Sequence, residues 1–281
     1  MSATLKSPLL PTCGTLRSIE EIAPDNFLYR FKFTDKTLSS CMPGQFVQLW
    51  LPGVGESAIS ICSGKTGDTL ELLIRRVGRV TTSAAKMTEG QIVGLRGPFG
   101  RGFPVEHFRG KSVCMVAGGC GVAPLRGLWQ YLLDHRCDYD RLTLVYGMRR
   151  PSDMLFAREF KEMAKRKDID LLLSSENLPP EDKTVVPMQH GMVTAVLHSA
   201  PLAPDYQIAV CGPPVMYKFV VRDLRRRGVP DENMWLSLER HMKCGIGKCG
   251  HCFVSGKLSC QCGPVFRLDE LKGLPEAIEC E

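Results

Sequence analysis

The chain has 281 residues, of which 44% are hydrophobic and 23% charged, and its formal net charge is +6. This length and composition suffice for two ordinary domains with buried cores and a small appendage, and they exclude a disordered or fibrous protein. The basic residues are scattered and only 7% of residues are aromatic. The sequence therefore lacks the dense basic face with aromatic platforms that nucleic-acid binding requires.

The N-terminal sequence and the cysteines bear on cellular location. The opening stretch MSATLKSPLLP contains no sustained apolar segment for export. The thirteen cysteines are therefore expected to be reduced thiols in a cytoplasmic protein. No stretch approaches the ~20 apolar residues that cross a bilayer, so direct membrane insertion is not expected.

Residues 15–104 consist of short alternating or apolar runs separated by glycine and proline. The runs Phe27–Phe33, Phe46–Leu51 and Leu70–Arg75 predict β-strands. Dipeptides such as Pro43-Gly44 are typical of the turns between strands. The pattern predicts an antiparallel barrel or sandwich.

The last of these runs continues into RRVGRVTT, residues 75–82. Thr81 or Thr82 is predicted to cap a short helix over Ser83–Met87 and to leave its first amides free for a phosphate. Because side chains alternate along a strand, at most one of Arg75 and Arg76 is expected to face a binding site.

After Gly110, apolar strands alternate with helical segments. Four apolar runs predict strands: Ser112–Ala117, Leu142–Tyr146, Asp170–Ser174 and Tyr206–Cys211. The segments Pro124–Leu133 and Ala157–Arg166 have helical periodicity. This alternation predicts a parallel sheet with helices on both faces.

Two glycine loops follow strands of this predicted sheet. Ala117-Gly-Gly-Cys-Gly121 opens a helix, so its bare backbone can approach a pyrophosphate, although a tight strand-to-helix turn explains the same residues. Cys211-Gly-Pro-Pro-Val-Met216 follows the last apolar strand. Both loops are expected at the carboxyl edge of one sheet, where open α/β folds bind ligands. Together they predict a nucleotide-binding cleft.

The cysteines at 244, 249, 252 and 260 have the spacing C-x4-C-x2-C followed by a fourth thiol. This is the spacing of a plant-type 2Fe-2S site. Glycines at 245, 247 and 250 allow a tight loop to turn its backbone amides toward the sulfurs. The segment is therefore predicted to carry electrons, and it is too short to fold without its metal.

A zinc site is the alternative interpretation of the same segment. Cys249, Cys252, Cys260 and Cys262 also supply four thiolates, which is a donor set that zinc accepts. This interpretation leaves Cys244 unused and gives the glycines no purpose. Thiols without a metal are the remaining alternative, because C-x2-C pairs are ambiguous on their own.

Taken in this order, the glycine loops, Tyr146-Gly147 followed by Arg149, and the cysteine spacing resemble the ferredoxin-NADP reductase family. The resemblance spans roughly Thr15 to Phe266. It is strongest for electron-transfer subunits that end in a 2Fe-2S domain, namely those of dihydroorotate dehydrogenase, of sulfhydrogenase (its gamma subunit) and of anaerobic sulfite reductase. It implies a multidomain β plus α/β fold: an antiparallel FAD-binding β-barrel over 1–107, a parallel-sheet NAD(P)-binding domain over 108–234 and a small 2Fe-2S domain over 235–281.

The resemblance implies a flavin site in the barrel. Ser57-Ala-Ile-Ser60 stands where the family has Arg-x-Tyr/Leu-Ser, so Ser57 replaces the arginine that pairs with the FAD diphosphate. Arg75, Arg76, Arg79 or helix amides must then meet that charge, and FAD is still favoured over FMN. The implied flavin-binding residues are Ser57, Ala58, Ile59, Ser60, Leu73, Ile74, Arg75, Gly78, Val80, Thr81 and Thr82.

The resemblance also implies a pyridine-nucleotide site. Its implied residues are Gly118, Gly119, Gly121, Tyr146, Arg149, Glu176, Cys211, Gly212, Pro213 and Met216. Glu176 matches the acidic position of NAD-dependent relatives and favours NADH, whereas Arg149 would attract the 2′-phosphate of NADPH. Cys211 lies near the nicotinamide in relatives, but a buried inert thiol is the commoner fate of a cysteine that ends a strand.

The implied function is electron transfer. An FAD-dependent oxidoreductase subunit would move electrons between NAD(P)H, FAD and a 2Fe-2S cluster on Cys244, Cys249, Cys252 and Cys260, to or from a catalytic partner subunit. One open alternative is a self-sufficient NAD(P)H reductase that acts on ferredoxin or another acceptor. A non-catalytic zinc-binding adaptor on a degenerate reductase scaffold is the other.

Overall fold

The computed structural model describes residues 7–34, 36–64, 67–179 and 186–271. Its first part is an antiparallel sheet of six strands in the order β4-β3-β6-β1-β2-β5. The strands are β1 (Thr12–Ala23), β2 (Asn26–Phe33), β3 (Phe46–Leu51), β4 (Gly55–Ser60), β5 (Thr69–Arg75) and β6 (Ile92–Phe99). The three strands predicted here from sequence are β2, β3 and β5.

The first sheet curls until its two edge strands meet. Ile61, directly after β4, pairs with Leu72 of β5, and the Cys62 amide donates a hydrogen bond of 3.0 Å to the carbonyl of Glu71. Between the described edge strands the pairing goes no further than this, so the predicted barrel is a barrel-like sheet without full closure. Side chains that include Leu16 and Phe31 fill its interior.

The helix after β5 begins earlier than predicted, so its predicted bounds were wrong. It runs over Arg79–Ala84, with Gly78 at its N-cap. Thr81 lies inside the first turn, where its hydroxyl accepts the amides of Val77 and Gly78 at 3.0 and 2.9 Å. A threonine at the third helical position can satisfy the amides that precede the helix, which makes a threonine N-cap unnecessary.

The remaining strands form a second sheet and a small hairpin. They are β7 (Val113–Gly118), β8 (Leu142–Met148), β9 (Asp170–Ser175), β10 (Gln189–His190), β11 (Gln207–Cys211), β12 (Met234–Ser237), β13 (Phe253–Val254), β14 (Lys257–Leu258) and β15 (Val265–Arg267). The second sheet has the order β10-β9-β8-β7-β11-β12-β15, and β13 pairs with β14. All neighbours in the second sheet are parallel except β15, which runs antiparallel to β12.

The chain therefore returns to the second sheet after the cysteine segment. Strand β15 pairs its residues Val265 to Arg267 with Ser237 to Trp235 of β12. The predicted boundary between 234 and 235 falls within β12, because that strand completes the parallel sheet. The division into 1–107, 108–234 and 235–281 stays a prediction.

Helices cover both faces of the second sheet, as predicted. In the described part of the chain, the helices are α1 (Arg79–Ala84), α2 (Val105–Phe108), α3 (Val122–Asp134), α4 (Ala157–Met163), α5 (Val193–Leu197), α6 (Pro214–Arg226) and α7 (Ser259–Cys262), of which four cover the second sheet. Short 3-10 turns occur at Lys36–Ser40, Gly119–Gly121, Arg136–Asp138, Pro151–Asp153, Asp231–Asn233 and Leu268–Glu270. Helices α3 and α4 pack on one face, and α5 and α6 on the other. Within the described ranges, no helix is both long and apolar enough to span a bilayer.

Candidate functional site

A cleft of about 360 Å³ lies where three parts of the chain meet. The first sheet forms one wall, the start of α3 forms a second, and the segment after β12 forms a third. The wall residues include Ala58, Ile59, Ser60, Leu73 and Arg75 from the first sheet, Cys120, Ala123 and Pro124 from the α3 side, and Ser237, Leu238, Glu239, Arg240 and Met242 after β12.

The structure brings together five of the residues that the resemblance implies for flavin, namely Ala58, Ile59, Ser60, Leu73 and Arg75. Ile74 lies between two of them on β5 and points into the core of the first sheet, where it is 1% exposed. Arg76 does not line the cleft either, and its guanidinium forms an ion pair with Asp25. Of the two arginines, only Arg75 is among the residues that line the cleft.

Helix α1 lies alongside the start of β4. A Cβ built on Gly55 would lie 3.5 Å from a Val80 methyl and 3.6 Å from Nη2 of Arg79. Strand β4 then carries Ser57, which pairs with Leu49 of β3 and does not line the cleft. The Arg79 guanidinium is therefore the cation of α1 that lies beside the strand where the family arginine is missing.

The two glycine loops touch each other, as the sequence predicted. Strands β7 and β11 are neighbours, with Cys211 beside Ala117. A Cβ on Gly121 would lie 2.3 Å from the Cys211 carbonyl oxygen, and one on Gly118 would lie 2.5 Å from Sδ of Met216. A side chain at Gly121 would collide with backbone, and one at Gly118 would have to displace the Met216 side chain, so bare backbone lies at the carboxyl edge of the sheet. This arrangement fits a phosphate-bearing nucleotide.

Around Gly119 the same edge is open, since a Cβ there would meet nothing within 4 Å. Its φ of +50° nevertheless favours glycine. Pro213, at the start of α6, is also exposed, and Gly212 is half-buried. The open backbone of the first loop thus lies next to the second loop.

Two residues of the implied nucleotide site are buried beneath it. The Cys211 thiol is fully buried and donates to the Ser237 carbonyl at 3.7 Å, and burial raises its pKa well above the usual range. This agrees with the inert-thiol interpretation. Tyr146 is also fully buried, and its hydroxyl accepts the Leu155 amide at 3.4 Å. The structure therefore assigns Tyr146 to the core, because its ring packs against Phe160 in place of facing the cleft.

Arg149 and Glu176 lie side by side in the chain segments that follow β8 and β9. Both are exposed. The Glu176 amide donates to the Met148 carbonyl at 3.0 Å, and the Asn177 amide donates to the Arg149 carbonyl at 2.9 Å. A negative and a positive side chain thus project from the same edge of the sheet, next to the glycine loops.

The loop between Cys244 and Cys260 turns its amides toward sulfur, as predicted. Its glycines at 245, 247 and 250 have φ values of 75°, 75° and 74°. The Cys244 thiol accepts the amides of Ile246 and Lys248 at 3.4 and 3.3 Å, and the Cys260 thiol accepts the amide of Gly247 at 3.2 Å. Amide donors of this kind stabilise negatively charged sulfur, as iron-sulfur ligation requires.

The four thiols interact with one another: Cys244 with Cys249 and with Cys260, and Cys252 with Cys260. Backbone amides, above all that of His251, and the thiol of Cys244 lower the pKa of Cys249 to about 7. Burial and the neighbouring Cys252 raise the pKa of Cys260. In the part of the chain that the structure describes, no three side chains of His, Cys, Asp or Glu gather as they would around a single metal ion. Four thiols linked in this way fit the donor set of an iron-sulfur cluster.

The cleft and the cysteine loop share one apolar cluster. Cys252 and Cys260 are each 2% exposed and pack with Phe46, Ala58 and Met242. The last three residues also line the cleft. One layer of side chains therefore lies between the cleft and two of the thiols.

Sequence reasoning missed part of the cleft. The cleft is also lined by Phe46, Asn26, Met242 and Glu239. Of these, only Glu239 and Met242 had a sequence signal, because they belong to the segment with charged residues directly before Cys244. Glu239 lines the cleft and is exposed to solvent. The role of Phe46 depends on how β3 meets the cysteine loop, which no local pattern records.

Comparison with known proteins agrees with this geometry. Residues 115–222 match the oxidoreductase NAD-binding domain, and residues 239–272 match the iron-sulfur cluster binding domain of dihydroorotate dehydrogenase B. The chain is 38% identical over 264 residues to sulfhydrogenase 2 subunit gamma of Pyrococcus furiosus, covering 88% of this chain and 91% of that protein. It belongs to this family of electron-transfer subunits.

Two further comparisons cover most of the chain. It is 36% identical over 224 residues to a probable electron transfer subunit of dihydroorotate dehydrogenase B (NAD(+)) from P. furiosus, covering 80% of this chain and 78% of that one. A solved NADH-dependent reduced ferredoxin-NADP oxidoreductase, studied for flavin-based electron bifurcation, matches with a TM-score of 0.75 and 26% identity, covering 92% of this chain and 91% of that one.

The chain is therefore an FAD-dependent NAD(P)H oxidoreductase of the electron-transfer subunit type, with an iron-sulfur cluster binding domain. The fold is that of the ferredoxin-NADP reductases. The iron-sulfur match over the cysteine segment contradicts the zinc interpretation and the adaptor function that depended on it.

Proposed function

We propose that this chain exchanges electrons between NADH and a sulfhydrogenase-type catalytic subunit, through the cleft and then the cysteine loop. The observation that carries the proposal is the apolar cluster in which Phe46 and Ala58, from the cleft wall, pack against Cys252 and Cys260. When bound, a flavin supplies the conversion between the hydride of a nicotinamide and the single electrons that a 2Fe-2S cluster accepts. The residues of the chain bind and orient these groups.

The flavin ring would be held by Ala58, Ile59, Ser60 and Leu73, with Arg75 at the end of the same wall. The FAD diphosphate would be met by Arg79 and the α1 segment, Gly78 to Thr82, in place of the family arginine that Ser57 replaces. This assignment is supported by the position of Arg79 beside β4 and by the ion pair that occupies Arg76. FAD remains the favoured flavin, since Arg79 supplies a cation for a second phosphate.

The nucleotide would lie on Gly118, Gly119, Gly121, Gly212 and Pro213, with its pyrophosphate over bare backbone. Cys211, Met216 and Tyr146 would support this edge from below. Glu176 would accept the hydroxyls of the adenosine ribose and repel a 2′-phosphate, which favours NADH. Arg149, on the same edge, opposes this preference and limits its size.

The cluster would be held by the thiolates of Cys244, Cys249, Cys252 and Cys260. Cys249 is exposed, and the neighbouring Phe253 is 61% exposed, so this side of the loop is open to a partner. A sulfhydrogenase-type partner is supported by the 38% identity to a sulfhydrogenase gamma subunit, against 36% for the dihydroorotate dehydrogenase subunit of the same organism. Reduced thiols and a cluster also favour a cytoplasmic location.

The nucleotide assignment is tested by Glu176→Ser and Arg149→Ser, assayed separately as NADH- and NADPH-dependent reduction of a dye. The wild type is expected to have the higher kcat/KM with NADH. Glu176→Ser should lower the NADH/NADPH ratio of kcat/KM, whereas Arg149→Ser should raise it. If neither variant changes the ratio, the edge formed by these two residues does not select the nucleotide.

A self-sufficient reductase is the second candidate, favoured by the match to a ferredoxin-NADP oxidoreductase. The two candidates are separated by assaying the purified chain with NADH and a soluble ferredoxin, and then by co-expression with a hydrogenase catalytic subunit. The proposal expects slow ferredoxin reduction by the isolated chain and a stable complex that reduces NAD⁺ with H₂. Fast ferredoxin turnover without a complex would establish the reductase instead.

A further inference from the structure

Arg96 is a buried cation between the first sheet and the cysteine segment. It lies in β6, and its side chain is only 3% exposed. Its Nε and Nη2 atoms donate to the two carboxylate oxygens of Glu56, each at 2.7 Å. A buried guanidinium needs such a partner because an unpaired charge in the interior is costly. Glu56 is on β4, next to Ser57.

The donors that remain on Arg96 reach across to the cysteine segment. Its Nη1 donates to the Cys244 carbonyl at 3.0 Å and to the Pro8 carbonyl at 3.3 Å, and its Nη2 donates to the Lys243 carbonyl at 3.4 Å. The guanidinium thus holds the backbone of the first cysteine and of the residue before it. These two residues lie almost 150 positions after Arg96 in the sequence.

Two other contacts hold the same stretch of chain. The Gln48 side-chain amide donates to the Met242 carbonyl at 3.1 Å. Gly245 packs so closely on Phe99 that an added Cβ would lie 2.7 Å from the ring. Neither contact brings a charge, whereas Arg96 with Glu56 places a charged pair at the root of the loop.

We propose that Arg96, oriented by Glu56, is a positioning residue that fixes the Cys244 end of the loop against the first sheet and sets the reduction potential of the bound cluster. The proposal rests on the assignment of Cys244 as a cluster ligand. Arg96 acts through the Cys244 backbone and through its charge. It is not itself a ligand.

The sign of the electrostatic effect follows from the charges. Reduction adds one negative charge to the cluster, so a nearby positive charge raises the reduction potential and a nearby negative charge lowers it. In the wild type, the Arg96 and Glu56 charges partly cancel. Arg96→Gln leaves the partly exposed Glu56 without its cation, whereas Glu56→Gln leaves an arginine that stays protonated. The two variants should therefore shift the potential in opposite directions.

The test is a redox titration of the cluster followed by electron paramagnetic resonance, together with iron analysis of the purified protein. Arg96→Gln is expected to lower the midpoint potential and to weaken cluster retention on the order of tenfold, the range found for residues that orient metal ligands. Glu56→Gln should raise the midpoint potential. Arg96→Lys keeps the charge without the fork, so its potential should lie between those of Arg96→Gln and the wild type.

Arg101→Gln is the matched control. Arg101 also pairs with a carboxylate, Glu270, at 2.7 Å, and donates to the backbone of Val265 at 3.0 Å. Its guanidinium contacts β15 and not the cysteine loop, which is reached only by Glu270 through an ion pair of 3.8 Å with Lys257. Arg101→Gln should shift the midpoint potential much less than Arg96→Gln does. Shifts of the same sign in Arg96→Gln and Glu56→Gln, or shifts no larger than that of Arg101→Gln, would overturn the proposal. If Arg96→Gln retains no iron, the Glu56→Gln and Arg96→Lys potentials decide.

Failure of the ligand assignment has a different signature. If Cys244→Ser keeps a cluster with an unaltered spectrum, Cys244 is not a ligand and the assignment itself is wrong. A second combination of results would contradict only the positioning proposal. In that case the wild type holds a cluster, Cys244→Ser loses it, and the Arg96 and Glu56 variants have the same midpoint potential as the wild type.

Discussion

Two rims of the cleft are built in different ways. The rim at the start of α3, here called the sheet rim, is formed by a parallel sheet whose strands β7, β8 and β11 are buried along their whole length. The other rim, here called the cysteine rim, runs from Ser237 through the cysteine loop. It contains little regular structure beyond a hairpin of two-residue strands and one short helix. Its shape depends on amide-to-sulfur hydrogen bonds and on contacts with Arg96 and Gln48.

The difference teaches how each rim is made rigid. The sheet rim is preformed by packing, since Gly121 leaves no space between the first loop and the backbone of Cys211 in the second. The cysteine rim places its thiols on backbone donors, so metal binding contributes to its folding free energy. Substitutions should therefore separate the rims: those in the cysteine rim should remove the cluster, and those in the sheet rim should destabilise the fold.

The largest effect is expected for Cys252→Ser. Cys252 is buried and supplies one of the two thiols that pack on the cleft wall. Iron should fall from two atoms per chain to almost none, while NADH-dependent dye reduction persists because the sheet rim is untouched. Iron analysis and the visible spectrum measure the change. Cys262→Ser, at an exposed thiol, should keep its iron. Full iron content in Cys252→Ser would show that the two rims are not separable in this way.

The next effect concerns Arg126, which joins α3 to the first sheet. Its buried guanidinium pairs with Glu71 and with Glu159. Arg126→Gln leaves Glu159 unpaired and leaves Glu71 with only the half-exposed Arg30, so it should lower the free energy of unfolding by about 3–5 kcal/mol. Arg30→Gln is the matched control: Arg30 binds the same Glu71 but is 47% exposed, so about 0–1 kcal/mol is expected. Urea denaturation measures the free energy of unfolding of both variants. Equal losses of stability would mean that burial of the arginine does not determine the cost of removing it.

A somewhat smaller loss of stability is expected for Gly121→Ala. The new methyl would lie 2.3 Å from the Cys211 carbonyl oxygen, a backbone atom that cannot rotate away. A loss of about 3 kcal/mol is expected, the upper end for overpacking. Gly119→Ala meets no atom and has only its positive φ to oppose it, so about 1 kcal/mol is expected. Thermal unfolding with and without NADH measures both, and a ranking in the reverse order would refute close packing of the two loops.

The smallest effect is a pH dependence at the same junction. Burial raises the pKa of Glu71, but the charges and hydrogen bonds of Arg126 and Arg30 outweigh it, and the pKa lies below its usual value. Ionised Glu71 therefore contributes stability that is complete above about pH 4.5, its unfolded pKa, and is lost as the pH falls through the lower folded pKa. The stability difference between wild type and Glu71→Gln should narrow below that pH. A constant difference in urea midpoint between about pH 6 and pH 3 would contradict this sign.

The sequence predicted those features that short stretches of chain carry. Strand β3 runs over Phe46–Leu51 as predicted, because a short apolar run bounded by turn residues is typical of a buried strand. The sequence places helix α1 too late because Thr81 and Thr82 have the residue type of a cap, whereas Thr81 acts from within the first turn. Strand β4 was not predicted as a strand, since GESAIS is neither apolar nor strictly alternating and becomes a strand by pairing with β3.

The sequence by itself determined the chemistry of this protein: the thiol spacing, the glycines that turn amides toward sulfur and the two loops at strand ends. These are local features, because a ligand set or a bare backbone needs only its neighbours. The tertiary structure decided which residues surround that chemistry, burying Tyr146 and Ile74 and bringing Phe46 to the cysteines. It also joined Arg96 to Cys244. Such contacts depend on how separate segments pack, and packing is a property of the whole chain.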